Sequence, residues 1–310
     1  MVTSGTTREA RAHHYVPQCW LAGFTESGQK NGTLWVSDLR RRKQWPTTPP
    51  NAGHRRDFYR LSSPVVDPVV VEKFYSKLED GIAPILRALD QELRNPTMQE
   101  LEVLCAFIAL QWTRVPAFRP KMLRIAEKVN RATMDKVLKN PESWRRTLKK
   151  MKVSLDAPEA DYHKMREFVE SGQYNLSADD EWYVKQSLEG AEAIIPTLLR
   201  RHWQTLTSQK GSFIGSDNPV ALDGERRKMI GFANAEVIIF PISKHVVLYG
   251  TLSRIRSIPT TEMLIARLNT MAMLHAHEQV FSRRPDFCWL DEAERYQTGW
   301  TSFEREKYHF

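Results

Sequence analysis

Cysteine is scarce in this chain of 310 residues: Cys19, Cys105 and Cys288 are all it has. They are odd in number and far apart, which excludes a disulfide framework. There is no Cys-x-x-Cys pair, which removes a zinc ribbon. Long apolar runs are also missing. No stretch reaches the roughly 18 residues that a membrane span requires. The opening Met1 to Arg11 is polar and has no signal-peptide core. A cytoplasmic protein with no membrane contact is the expectation, in line with reduced cysteines.

Several catalytic signatures are absent too. The chain has no Gly-rich phosphate loop ending in Lys-Ser or Lys-Thr and no Gly-x-Gly-x-x-Gly. It has no Gly-x-Ser-x-Gly elbow and no His-Glu-x-x-His helix. The commonest NTPase, dehydrogenase, hydrolase and zinc-protease readings thereby lose their main support.

What is present is an ordinary globular composition, with 41% hydrophobic and 26% charged residues. The net charge of +8 and the pI near 9.4 favour acidic partners, nucleic acid or a phosphate-bearing ligand among them. Many basic proteins bind nothing acidic, so charge alone does not decide. No Pro/Gly/Ser-rich linker divides the chain. A mobile tail over residues 1–12 followed by a single domain over 13–310 is expected.

The patterning predicts an α+β fold that is mostly helical. Strands at 33–36 and 43–47 form a hairpin with the basic run Arg40 to Lys43 at its turn. Asp67-Pro68 is a start signal for a long helix carrying Phe74, Leu78, Ile82, Ile85, Leu86 and Leu89. Pro84 should kink or break it. Thr97 and Glu100 have capping-box spacing ahead of an all-apolar helix, with Cys105 as core filler. Residues 119–152 read as two solvated helices parted near Asn140-Pro141. Helices are expected near 159–170 and 177–199, with Asp179 and Asp180 in the first turn of the second. The C-terminal third turns β-like at 202–214 and 236–250, forming a small, mainly antiparallel sheet. A last helix over 260–278 and a short strand over 279–282 follow.

Four polar clusters could carry chemistry. His13 and His14 are adjacent in an extended entry and point to opposite faces, so at most one ligates a given metal. Either could serve as a base near neutral pH; the bland alternative is a ring bonded to backbone carbonyls. Asp217-Asn218-Pro219 could present a carboxylate and an amide to a cation or to water, or simply cap a turn. Gln111 and Arg114 share a helix face and could line a pocket for phosphate or carboxylate. An internal pair of Arg114 with a carboxylate such as Glu79 is the alternative. His275-x-His277-Glu278 is a weak metal signal if helical, and reads as surface.

These residues match a pattern. The His13-His14-Tyr15-Val16-Pro17 opening, then Leu21, Phe24 and Leu34-Trp35-Val36, resembles the bacterial family called domain of unknown function 4238. Asp57-Phe58-Tyr59, Glu79, Gln111, Arg114 with Pro116, Phe213 to Val220, Phe240-Pro241-Ile242-Ser243 and Asn269 continue the match in order. Ile242 departs from the family's more frequent Leu. The resemblance implies one domain of this size and brings no activity. It also implies that His13, His14, Glu79, Gln111, Arg114, Asp217, Asn218 and Asn269 belong to one site.

Two functional readings follow. In the first, His14, Glu79 and Asp217 bind a divalent metal, Mn, Zn or Fe, in a phosphodiester hydrolase or nuclease. His13, His14, Arg114 and Asn218 then act in catalysis, while Gln111 and Asn269 hold the ligand. In the second, the chain is not an enzyme, and the same residues form a nucleotide or anion pocket or an internal network. His, Glu and Asp side chains converging on a solvent-reachable void would favour the first; Arg114 paired with Glu79 or Asp217 in a closed interior would favour the internal network.

Overall fold

A computed structural model describes residues 12–58, 70–225 and 230–308. The expected mobile tail up to residue 11, the Asp67-Pro68 helix start and Tyr59 lie outside the described residues. The described chain begins with β1 (Ala12–His14), α1 (Gln18–Leu21), β2 (Leu34–Asp38), β3 (Lys43–Thr47) and β4 (His54–Arg56). Helices α2 (Val70–Glu92), α3 (Met98–Arg114), α4 (Phe118–Val137), α5 (Pro141–Met151), α6 (Tyr162–Ser171) and α7 (Asp180–Leu199) follow. Then come β5 (His202–Thr207), β6 (Gly215–Ser216), β7 (Ala221–Asp223), β8 (Val237–Pro241) and β9 (Val246–Thr251). The chain closes with α8 (Glu262–His275), β10 (Gln279–Ser282), β11 (Cys288–Leu290) and β12 (Tyr296–Thr298). With 46% helix and 17% strand the fold is α+β, as the patterning predicts.

The chain divides into two compact units. One comprises residues up to Ala117 together with those from Val184 onward; the other is Phe118–Tyr183. Within the first, β1 pairs with β4, and β11 with β12. Two four-stranded antiparallel sheets run in the orders β3-β2-β10-β6 and β5-β9-β8-β7. The β2–β3 hairpin is the expected one, but it does not stand alone. The free edge of β2 is filled by β10 in the register Val36↔Phe281, which satisfies an otherwise open row of backbone groups.

The core gathers around Trp20. Phe24, Leu34, Leu104, Ile108, Phe240 and Phe281 are sealed with it. Each such side chain contributes about 1.5–3 kcal/mol of burial free energy. The Trp20 indole donates to the Pro241 carbonyl at 2.7 Å. Gly215 lies flat under the Trp20 and Phe24 rings, where a Cβ would collide. That contact places Ser216-Asp217-Asn218 directly after it.

Local signals are borne out where they are strongest. Thr97 and Glu100 form the reciprocal capping box of α3, and Cys105 is fully buried. Asn140 caps α5 through Ser143 N–H at 2.8 Å, with Pro141 in its first turn. Pro84 does not break α2, which continues to Glu92. Helix α8 stops at His275 rather than at 278, so His277 and Glu278 lie in the following loop. Among the described residues no single helix is long and apolar enough to cross a membrane.

The Phe118–Tyr183 unit has its own small core of Leu138, Trp144 and Leu148, covered by Val153, Tyr162, Met165 and Val169. The Trp144 indole donates to Ala160 O at 2.8 Å, and the Tyr162 hydroxyl to Leu138 O at 3.0 Å.

Candidate functional site

Helix α2 presents Glu72, Tyr75 and Glu79 at spacings of three and four residues, so they share one face. Helix α3 packs against it and carries Gln111 and Arg114. The Arg114 guanidinium donates to Glu79 Oε1 at 3.1 Å and to the His14 carbonyl, and its carbon lies 4.2 Å from the centre of the Tyr75 ring. Arg114 is 3% exposed and Gln111 1%. This is a closed ion pair joining α2, α3 and β1.

Burial dominates the electrostatics. It raises the Glu79 carboxyl above its ordinary range, against the pull of Arg114. It pushes Glu72 up to about 7, with Arg114 opposing and Glu79 reinforcing. Burial, with the Glu79 charge adding to it, pushes the Cys19 thiol up to about 12. Among the described residues, the Gln111 amide at both Oε1 and Nε2, and Glu72 Oε2, have no hydrogen-bond partner.

His14 is committed to its surroundings. Its Nε2 lies 3.2 Å from the Pro50 carbonyl, which it meets only as a donor. The Nδ1 is then left to accept from the Gln18 amide at 3.4 Å. His13, its neighbour on β1, is fully buried.

Asp217 sits elsewhere, at the loop after α8. One carboxylate oxygen accepts from His277 N–H at 2.6 Å, the other from Glu278 and Gln279 N–H at 2.8 and 3.0 Å. Burial raises this carboxyl to about 6, while those three N–H groups pull it down. Asn218 Nδ2 donates to the His275 carbonyl at 2.7 Å. The His275 ring donates from Nδ1 to Met271 O and accepts Leu222 N–H at Nε2. The His275-x-His277-Glu278 segment is therefore the backbone anchor of Asp217 rather than a surface helix end.

Asn269 stands at a third place. Its Oδ1 accepts Ile214 N–H at 3.2 Å, and its Nδ2 donates to Ser212 O and Cys288 O at 2.9 and 2.8 Å. Its amide thus bonds to backbone on three sides.

The structure thus brings Glu79, Arg114 and the His14 backbone together with Gln111 on the same helix. It does not bring His14, Glu79 and Asp217 together as a metal set. Among the described residues no three His, Cys, Asp or Glu are placed to hold a metal ion. The physical reason is that each candidate donor is already engaged, by Pro50 and Gln18, by Arg114, or by three backbone N–H groups. The hydrogen bonds of Glu79 with Arg114, of Asp217 and Asn218, and of Asn269 form three separate sets. Sequence reasoning missed Glu72 and Tyr75, although their spacing to Glu79 on one helix face was there to read.

A family profile described as protein of unknown function (DUF4238) matches residues 12–286. The chain belongs to this family. No curated protein and no solved structure matches it. The family match covers β1, α2, α3, the Ser216-Asp217-Asn218 block and α8, and so includes all three polar places.

Proposed function

We propose that this DUF4238 protein is a non-catalytic small-ligand binder whose α2–α3 centre takes a nucleobase-bearing ligand. One observation carries the reading: the Gln111 amide is buried, and among the described residues both its acceptor and its donor are unmet. Such a group costs about 1–3 kcal/mol in an empty fold, a cost that a bound ligand removes. A primary amide offers a carbonyl and an NH₂ side by side. That edge complements an adenine-type edge, one donor beside one acceptor. The unmatched Glu72 Oε2, on a carboxyl that burial pushes up to about 7, supplies a further contact. Arg114 is neutralised by Glu79, so the base rather than a phosphate is the feature recognised, with the net charge of +8 favouring the nucleotide overall. The phosphodiester-hydrolase reading finds no support in the donor geometry.

The test is calorimetric titration of AMP and the other three nucleoside monophosphates into the wild type and Gln111→Leu. Saturable binding of one nucleotide per chain is expected, weakened at least about tenfold, or about 1.4 kcal/mol, in the variant, with the nucleotide recovered intact. Absence of binding to the wild type, together with a higher melting temperature for Gln111→Leu, would sink the proposal and leave the amide as an uncompensated core residue.

A further inference from the structure

The positive charge of this chain is not spread evenly. Residues 118–152 hold twelve Lys or Arg against three Asp or Glu. The acids of the same unit follow in 153–183, which holds eight Asp or Glu against two Lys or Arg, so the cations are segregated into its first half. Helix α5 is its most concentrated part. Arg145, Arg146, Lys149 and Lys150 are all exposed, whereas Trp144 and Leu148 are buried. The cations pair as 145 with 149 and 146 with 150, about 6 Å apart along the axis. Glu142 is the acid of this helix, and it stands in the first turn. Among the described residues none of the four cations forms an ion pair.

We infer that the outer face of α5 is a docking surface for the phosphate backbone of nucleic acid. Like charges at this spacing repel, a cost that a polyanion relieves. The helix is also fixed for the purpose. Asn140 caps its start, Lys152 closes its end in a left-handed conformation, and Trp144 ties its back to Ala160. The competing partner is an anionic membrane. An interfacial helix must insert a free apolar face, and here that face is spent on the Leu138, Trp144 and Leu148 core. What remains outward on the helix is mostly charge, with Met151 at its last position the exposed large apolar side chain, and four clustered cations are the chemistry of sequence-independent phosphate contact. Three further exposed cations, Arg124, Lys128 and Arg131, share a face of α4 and belong to the same unit.

The experiment is fluorescence anisotropy of a labelled DNA duplex and a labelled single strand, titrated with the full chain across a salt series. The wild type is expected to bind one or both, with affinity falling steeply as salt rises. Combining Arg145→Gln, Arg146→Gln, Lys149→Gln and Lys150→Gln should weaken binding at least about tenfold. It should also reduce the log–log salt slope by about three to four, with helix content by circular dichroism unchanged. Neutralising Arg40, Arg41, Arg42 and Lys43 instead should change little. The proposal is overturned by an absence of wild-type binding, by equal binding of the α5 variant, or by loss that follows the 40–43 variant. It is equally overturned if the protein binds phosphatidylserine vesicles and neither DNA.

Discussion

Arg114 and Glu79 meet at 3.1 Å between α3 and α2, with the guanidinium almost sealed from water. A buried pair of this kind stabilises little beyond an apolar replacement, yet breaking it is expensive because one charge is stranded. Arg114→Met should destabilise the fold by about 3 kcal/mol or more. The double change Arg114→Met with Glu79→Met should cost clearly less than the two single changes added together. Urea unfolding of the four proteins measures this, and strict additivity would mean that the pair is not coupled.

Glu72 makes the stability of the wild type depend on pH. Its carboxyl is raised from 4.5 to about 7 by burial, so the native state holds a proton that the unfolded state has already lost. The penalty is absent below about pH 4.5 and grows as pH rises through about 7. Glu72→Gln should therefore melt close to the wild type near pH 5 and above it near pH 8. A difference that stays constant across that range, or shrinks as pH rises, would contradict the assignment.

Asp217→Asn should be poorly tolerated despite its near-identical shape. The carboxylate accepts three consecutive N–H groups, whereas an amide turns one acceptor into a donor facing a donor. A loss of about 3 kcal/mol is expected. Hydrogen exchange should show the N–H groups of His277, Glu278 and Gln279 losing protection before the rest of the chain.

Asn269→Leu removes three hydrogen bonds to backbone and leaves Ile214 N–H, Ser212 O and Cys288 O unmet. The expected cost is about 3 kcal/mol, with no change in nucleotide binding beyond that due to unfolding. A ligand role for Asn269 would instead show as lost binding in a variant of unchanged stability.

Much of this architecture is legible locally. The Thr97–Glu100 capping box, the Asn140-Pro141 boundary and the β2–β3 hairpin depend on residues within a few positions of each other. The candidate site was legible only in part. Arg114 against Glu79 can be anticipated, because a charge on an apolar helix demands a partner. The role of Asp217 cannot, because its turn-forming neighbours Asn218 and Pro219 suggest a local cap. Its actual donors lie 60 to 62 positions away. Asn269 is similar, since nothing beside it in α8 signals that it bridges Ser212 to Cys288. A shared set of polar residues marks them as needed, whether for a ligand or for bracing.

The place of β10 between β2 and β6 also bears on how the protein is born. Arg40, at the β2–β3 turn, meets Glu278, just before β10, across 238 positions. At about 5–20 residues per second of synthesis, the N-terminal hairpin waits tens of seconds for the strand that completes its sheet. Through that interval Leu34 and Val36 have no Phe281 to cover them, and the open edge of β2 is a template for the wrong strand. Production of the chain should accordingly depend on a holding chaperone, and truncations ending before Gln279 should be recovered as aggregates rather than as a smaller folded core.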